Sequence, residues 1–572
     1  MNYMDNYRRW LNADVLTEDE RAELQAIHDD DDEIKQRFTS YLSFGTAGLR
    51  GTMKTGMNAM NTHTVAYATQ GLAKLILDEG RAADGVAIAY DCRYHSEEFA
   101  RTAACVLAAA GIKAYLFDAL RPTPELSFAL RELGCVAGIN ITASHNPKQY
   151  NGYKAYWEDG AQLPPEHADT VAATMQSLDI FKDVKMMDYE EALAAGKIAL
   201  LGEDMDEKYL AAVLAQAVNP SAVSQVADDL TIVYTPLHGT GHRLVPEVLR
   251  RLGIKHLYTV PEQMVIDGGF PTVSKPNPEY SEVFKLGIEI ANRVGSDMIV
   301  ATDPDADRVG VVTRTPDGSF ATITGNQMGA LLIDYIITAY EKTGTMPDQP
   351  YAVKTIVTSE LAAKICAEHG VKMHNVLTGF KFIGEVIKNY EAKGYGSYLF
   401  GFEESYGCLK GTYARDKDAV VASMLIAEMT AYYKAQNMTL FDALRALFER
   451  YGYSYETNVE ITMEGLDGAA KMAALMDDLR NNPPSEFGGT AVAELRDYKI
   501  GVVTDCATGE KSETGLPSSN VLYYKLVNGD VIVARPSGTE PKIKFYYMLR
   551  GENEAECKAN LERYKATIQK IL

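Results

Sequence analysis

Runs of β-branched and aromatic residues alternate along this chain with segments whose apolar positions recur at helical spacing, and the alternation appears three times over. In the first stretch the runs 86–91 (VAIAYD), 113–118 (KAYLFD) and 135–142 (CVAGINIT) predict strands, and Ser96-Glu97-Glu98 is placed to cap the helix between the first two. The second stretch has runs at 231–235 (TIVYT), 256–260 (HLYTV) and 298–302 (MIVAT). The third has them at 351–357 (YAVKTIV), 372–377 (KMHNVL) and 398–402 (YLFGF). Strands alternating with helices predict sheets built from right-handed βαβ units. The expected fold class is α/β: three tandem related α/β domains with mostly parallel sheets, then a smaller α+β C-terminal domain. Beyond residue 450 the rhythm breaks. A turn-rich patch at 481–490 (NNPPSEFGGT) precedes runs near 521–525 and 531–534 and a closing helix over 554–570. Domain boundaries are expected at 1–200, 201–320, 321–450 and 451–572.

At 572 residues the chain exceeds what one core holds, which agrees with several domains. A composition of 46% hydrophobic and 23% charged residues is that of a globular protein rather than a disordered one. No apolar run approaches the ~20 residues needed to span a bilayer. The opening segment MNYMDNYRRWLNADVL lacks the apolar core of a secretory signal. Seven cysteines stand singly, without a CxxC pair, which fits reduced thiols and an expected cytoplasmic location. A net charge of −22 argues against a nucleic-acid surface. It leaves room for a small phosphorylated ligand, which needs only a few local donors. The expected partner is therefore a small molecule, with no nucleic acid and no membrane; the pattern says nothing of oligomeric state.

Ligands bind beyond the carboxyl ends of parallel strands, so the turns after the runs carry the candidate chemistry. The first is TASHNP (142–147), where Ser144 and His145 precede a turn enforced by Asn146 and Pro147. A plain Ser/Asn turn would read the same way, but NGYK (151–154) brings the cationic Lys154 ten positions on, and no G-x-S-x-G elbow points to a hydrolase. The second is ATDPDADRVG (301–310), with Asp303, Asp305 and Asp307 alternating along a short segment. Three carboxylates this close repel by on the order of 4 kcal/mol per pair at an effective dielectric near 20, and a hard divalent cation such as Mg²⁺ removes that penalty. An EF-hand shares the spacing, yet Arg308 replaces its turn glycine and Arg314 its bidentate glutamate. The third is GFEESYG (401–407), in which Glu403 and Ser405 offer acceptors suited to sugar hydroxyls, as an acidic helix cap also would. The fourth is ARPSGTEPKIKF (534–545). Here Arg535, Ser537, Gly538 and Thr539, followed by Lys542 and Lys544, have the composition of a phosphate cradle that is not a Walker A loop.

Taken in order, these four loops resemble those of the α-D-phosphohexomutase family of phosphoglucomutases and phosphomannomutases. Further matches are FGTAGLRG (44–51), AYDCR (89–93), TPLHGT (235–240), PNPE (276–279) and TGFKFIG (378–384). The variants FGTAGLRG and GFEESYG look most like the longer bacterial phosphoglucomutases and the phosphopentomutase-like branch. The resemblance implies four domains, each giving one loop to a central cleft. It implies that Ser144 carries a phosphoryl group and that Mg²⁺ is held by Ser144, Asp303, Asp305 and Asp307. It implies catalytic parts for His145, for Lys154 as general acid/base, and for Arg50 and Arg308 in stabilising charge. Substrate contacts are implied at Thr378, Gly379, Lys381, Glu403, Ser405, Lys417, Arg535, Ser537, Gly538, Thr539 and Lys544. The implied reaction converts glucose 1-phosphate to glucose 6-phosphate through glucose 1,6-bisphosphate, which is both intermediate and activator. Mannose, glucosamine and pentose phosphates are the competing substrates, and a catalytically silent sugar-phosphate binding protein is the competing class. Two departures stand out: Tyr406 and Gly407 occupy positions where several bacterial members carry a histidine, and Ala419 replaces a usual glycine.

Overall fold

The computed structural model describes residues 2–45, 48–463, 468–537 and 542–571. By compactness the chain divides into two units. One comprises Met1–Ile323, Gly384–Lys393 and Tyr406–Thr439; the other comprises Thr324–Ile383, Gly394–Ser405 and Leu440–Leu572.

The first unit contains two sheets, each with a parallel core. In the first sheet Val86–Tyr90 pairs in parallel with Ala114–Phe117 and Ala137–Ile141, and Ile198–Leu201 extends the parallel side. Tyr150–Trp157 then returns antiparallel against Ala137–Ile141, and Leu49–Thr52 pairs antiparallel beyond it. The second sheet repeats the plan. Thr231–Thr235 lies parallel between His256–Thr259 and Met298–Thr302, after which Val309–Arg314 and Phe320–Ile323 follow antiparallel. Each sheet thus carries an antiparallel edge beside its parallel core, and loop length explains why. The links 142–149 and 303–308 are far shorter than the dozen or more residues of a parallel crossover, so the next strand has to turn back. The serine loop and the aspartate loop are these two turn-backs.

The helix between the first two strands runs Ser96–Ala109, but its N-cap is His95 in a left-handed conformation (φ 63°), without a side-chain cap. Ser96 does not cap because its hydroxyl donates to Asp91 Oδ1 at 2.7 Å instead. Helix Ala419–Lys434 is apolar on nearly all sides and buried through its first thirteen residues, as a helix inside a large core must be. Its cap is Asp418, whose Oδ1 accepts from the backbone of Val420 and Val421.

In the second unit Pro350–Thr355 pairs in parallel with Lys372–Val376 and Ser397–Phe402. Helix Gly325–Thr343 opens with a capping box made by Thr324 and Gln327. At Gly329 this helix lies so close to Phe402 that a Cβ would sit 2.0 Å from the ring. The remainder is an antiparallel sheet that includes Tyr453–Thr462, Lys542–Gly551, Val531–Pro536, Leu522–Leu526 and Thr490–Asp497 in that order. Helix Glu554–Ile571 contributes Cys557, Leu561, Tyr564 and Ile568 to the core against it. The class is three α/β sheets followed by a β-rich C-terminal portion. Among the described residues no helix is long and apolar enough to cross a membrane.

Candidate active site

Ser144 opens the turn after Ala137–Ile141 with a left-handed backbone (φ 51°) and is buried. Thr142 supports it, accepting the Ser144 N–H on its hydroxyl at 2.8 Å. Arg93 supports it more heavily. Its Nη2 donates to the carbonyls of Ser144 and Asn146, both at 2.5 Å, and its Nη1 donates to those of Pro147 and Tyr150 at 3.0 and 2.9 Å. Four carbonyls of one loop thus converge on one guanidinium, a use of Arg's fixed fork that Lys could not reproduce. Asp91 holds Arg93 at 3.2 Å and accepts from the hydroxyls of Thr142 and Ser96. Phe270 covers the guanidinium, its ring centre 5.1 Å away.

The aspartate loop is folded on its own first carboxylate. Asp303 Oδ1 accepts the N–H groups of Asp307 and Arg308 at 3.1 and 3.0 Å, and Ala306 takes a left-handed conformation (φ 51°) to make the turn. Neighbouring segments grip it from outside. Val309 N donates to Tyr406 O, Ala419 N to Ala306 O, and Thr240 N to Pro304 O. Gly239 lies against Pro304 so closely that a Cβ would be 2.4 Å from its Cα, which accounts for the glycine in TPLHGT. His238 of the same motif bonds Val265 O and Thr272 Oγ1, a buttress rather than a reacting group.

The two loops meet through Ser144. Its Oγ donates to Asp303 Oδ2 at 2.8 Å and lies 3.2 Å from His145 Nδ1. Lys154, opposite Asn140 in the antiparallel register, reaches Asp305 Oδ2 at 2.7 Å and Asp307 Oδ2 at 3.5 Å. Lys417 reaches Asp307 Oδ2 at 3.1 Å and Asp416 Oδ1 at 3.0 Å. Thr123 donates its hydroxyl to Asp305 Oδ2, and Arg308 pairs with Glu279 of the PNPE motif at 2.6 Å. Arg50 touches the serine loop at Asn146 Oδ1, 3.3 Å away.

Burial, and then the charges of Asp305 and Asp307, push the Asp303 carboxyl well above the usual range. Burial acts the same way on Asp305, but Lys154 and its hydrogen bond outweigh it and hold that carboxyl low. Burial would lower Lys154; Asp305 and Asp307 outweigh that and raise it, so Nζ stays protonated. His145 is driven well below 6.5 by burial and by Arg308 and Arg50, which leaves a neutral imidazole at physiological pH.

Three observations fit a hard divalent cation here. Oxygens from Asp303, Asp305 and Asp307 lie within 4.8 Å of one another. Asp305 Oδ1 and Asp307 Oδ1 are buried with no hydrogen-bond partner among the described residues. With all ionised, these three and Asp416 set four negative charges against the two ammonium groups of Lys154 and Lys417, leaving the charge that one dication cancels.

The remaining candidates belong to the second unit. Glu403 is buried and accepts the N–H of Gly379, a residue at φ 124°, at 2.9 Å. Thr378 has a buried hydroxyl without a partner among the described residues. Lys381 lies over the ring of Phe382, and Ser405 is half-buried beside Glu404, whose Oε2 is 3.3 Å from Thr358 Oγ1. Arg535 donates to the Tyr546 hydroxyl at 3.4 Å, and Ser537 N donates to Lys542 O. Lys542 and Lys544 lie 3.2 and 3.5 Å from Glu460. Gly538 and Thr539 lie outside the described residues.

Comparison with known proteins decides the family. The chain matches phosphoglucomutase/phosphomannomutase alpha/beta/alpha domain I over residues 41–180, domain II over 207–318 and domain III over 324–451. It is 36% identical over 533 residues to a phosphoglucomutase of Staphylococcus saprophyticus, covering 93% of this chain and 95% of that one. The chain is an α-D-phosphohexomutase. A phosphoglucomutase of Staphylococcus aureus is likewise 36% identical, over 92% of this chain and 93% of its own. Two solved structures share the hexomutase fold. The exocytosis-sensitive phosphoprotein pp63/parafusin, a phosphoglucomutase from Paramecium, has a TM-score of 0.71 at 18% identity, covering 93% of this chain and 95% of that one. A putative phosphomannomutase from Thermus thermophilus has a TM-score of 0.67 at 22% identity, covering 93% and 99%.

Sequence reasoning about this hexomutase gave no part to Arg93, Asp91, Thr123 or Phe270. The signal for Asp91 and Arg93 lies in AYDCR: an Asp and Arg two apart directly after a buried strand, where a solvated turn needs neither. Thr123 and Phe270 carry no comparable local signal. Lys417, grouped with the substrate contacts, stands in the first unit beside Asp307.

Proposed function

We propose that this hexomutase interconverts glucose 1-phosphate and glucose 6-phosphate through a phosphoserine at Ser144 and a glucose 1,6-bisphosphate intermediate. The observation that carries the reading is the bond from Ser144 Oγ to Asp303 inside a buried carboxylate triad backed by Lys154. A lone serine hydroxyl is a poor nucleophile, whereas its phosphate ester is a ready donor. In the forward half-reaction the P–Oγ bond of phosphoserine breaks and a bond forms from phosphorus to the sugar's 6-oxygen. The hydroxyl proton of the sugar is lost, and Ser144 Oγ ends protonated on release of the intermediate or is rephosphorylated by its other phosphate. Lys154 Nζ, held cationic by its aspartates, is the group we assign as general acid: it gives a proton to Ser144 Oγ as the P–Oγ bond breaks, and the amine so formed takes the proton that the sugar hydroxyl loses. Arg93 fixes the serine backbone, and Arg50 and Arg308 supply positive charge beside it.

Mg²⁺ is the ion we assign to Asp303, Asp305, Asp307 and Ser144; when bound it neutralises charge as the phosphoryl group moves. In the second unit Glu403, Ser405, Thr378, Gly379 and Lys381 are assigned to sugar hydroxyls. Arg535, Ser537 and Lys544, with Gly538 and Thr539, are assigned to the phosphate that is not reacting. The working division into 1–200, 201–320, 321–450 and 451–572, and a cytoplasmic location supported by scattered single cysteines, belong to the same proposal.

Steady-state comparison of glucose 1-phosphate, mannose 1-phosphate and ribose 1-phosphate, each with its bisphosphate as activator, tests it. The glucose ester should give the highest kcat/KM. A higher value for ribose or mannose reassigns the sugar, and no turnover with any of them overturns the mutase reading.

A further inference from the structure

Within the second unit a cavity of about 130 Å³ opens beside the hairpin that joins Leu522–Leu526 to Val531–Pro536. Its polar lining is Arg496, Lys525 and Arg550 from the antiparallel sheet, Asn375 from the parallel one, and Glu360 from the start of helix Glu360–Glu368. Glu360 is already engaged, since Lys354 Nζ donates to its Oε1 at 2.9 Å. Arg496 uses Nε on Glu494 at 2.6 Å and lies over the Tyr523 ring, its guanidinium carbon 4.8 Å from the centroid. Lys525 and Arg550 make no ion pair among the described residues. Of the residues that line the cavity, Arg496, Lys525 and Arg550 against Glu360 leave a surplus of two positive charges. They do so in a chain whose net charge is −22, where surplus carboxylates abound to pair them.

Gly529 turns the hairpin at φ 86°, a left-handed conformation that favours glycine, with Arg550 Nη1 beside it. A volume of 130 Å³ is roughly that of four waters. It admits a tetrahedral oxyanion with an atom or two of substituent. Planar guanidinium groups suit such an anion because they present paired donors at its oxygen spacing.

We propose that this cavity is a binding site for a phosphate dianion, supplied as inorganic phosphate or as the phosphate of a small monoester. It is separate from the loop assigned above to the substrate's phosphate. Val531, which lines the cavity, and Arg535, on that loop, stand four residues apart on one strand, or about 13 Å at strand spacing. A dianion bound here joins Asn375 of the parallel sheet to Arg496, Lys525 and Arg550 of the antiparallel sheet, and so fastens the two sheets of this unit at the hairpin end.

Calorimetric titration of inorganic phosphate into the full chain carrying Arg535→Ala, at ionic strength held constant with chloride, tests the proposal without the other phosphate loop. One saturable event with a Kd of about 1 mM or below is expected. Adding Lys525→Ala and Arg550→Ala together should weaken it at least tenfold. Both side chains are exposed, so Tm should not move; Lys525→Gln with Arg550→Gln serves if it does. Glycerol phosphate in the same titration separates the sources: binding through these residues assigns the site to monoesters, and exclusion assigns it to inorganic phosphate. No saturable binding, or a Kd indifferent to both pairs of substitutions, overturns the proposal.

Discussion

The serine–aspartate cluster and the recognition loops of the second unit are built to different tolerances. Around Ser144 the guanidinium of Arg93 spans four carbonyls, and Asp91, Arg93, Lys154, Asp303, Asp305 and Asp307 are all buried. Glu403 accepts the N–H of Gly379, Arg535 reaches the Tyr546 hydroxyl only at 3.4 Å, and the Thr378 hydroxyl has no partner among the described residues. The difference matches what each region has to do. Phosphoryl transfer requires reacting atoms placed to a fraction of an ångström. Recognition in the proposed reaction has to accept one bisphosphate in two orientations, which a rigid, fully bonded loop would refuse.

The largest effect should come from removing the atom at the centre of the rigid region. Ser144→Ala should lower turnover by on the order of a thousandfold or more while leaving Tm nearly unchanged. Intact-mass measurement should find a phosphoryl group on the parent that the variant lacks. Retention of a tenth of parental activity would take Ser144 out of the mechanism.

Next comes the charge balance. Excess chelator should stop turnover, added Mg²⁺ should restore it and raise Tm by mass action, and Asp305→Asn should abolish that rise. Full activity in chelator would make the three aspartates a structural cluster only.

Arg93→Ala tests whether density of bonding is what the site depends on. It frees four carbonyls and leaves Asp91 buried and unpaired, so stability should fall by about 3–5 kcal/mol. Below the new Tm, kcat should drop roughly ten- to a hundredfold from misplacement of Ser144, with KM little altered. A change in KM alone would show that Arg93 bears on binding and not on the serine.

On the looser side the effects should be smaller and fall on binding as well as turnover. Arg535→Ala should cost roughly ten- to a hundredfold in kcat/KM, at about 1.5–3 kcal/mol for a charge-assisted bond, and should increase the bisphosphate released per turnover. Lys544→Ala should cost only a few-fold, because its half-exposed pair with Glu460 is worth roughly 0–1 kcal/mol. If Lys544→Ala proved as damaging as Arg93→Ala, the contrast between the two regions would fail.

Much of this was legible in the chain. The parallel strands declared themselves because runs such as VAIAY, MIVAT and TIVYT are buried on both faces and leave no helical period. The serine and aspartate loops were found because chemistry concentrates at strand ends. What the sequence hid depends on partners distant along the chain. Tyr150–Trp157 reads as a strand, but its antiparallel direction follows from the shortness of the loop before it. Ser96 sits where a cap belongs and is taken by Asp91. Phe270 is an ordinary aromatic in a Gly-rich loop until Arg93 is found beneath it. Periodicity is a local signal, so it could not show that 384–393 and 406–439 pack with the first unit.

One backbone angle carries a further consequence. Ser144 holds φ 51°, a conformation that costs a residue with a side chain roughly 1–2 kcal/mol and costs glycine almost nothing. The codon for this residue therefore sits under opposing pressures. Folding alone would favour drift to glycine, which is one nucleotide change from some serine codons and would yield a sturdier, inert protein. A lineage relieved of its need for the hydroxyl has a downhill route to losing it. Serine at a site that favours glycine is thus a gauge of how strongly the reaction, rather than the fold, is being selected.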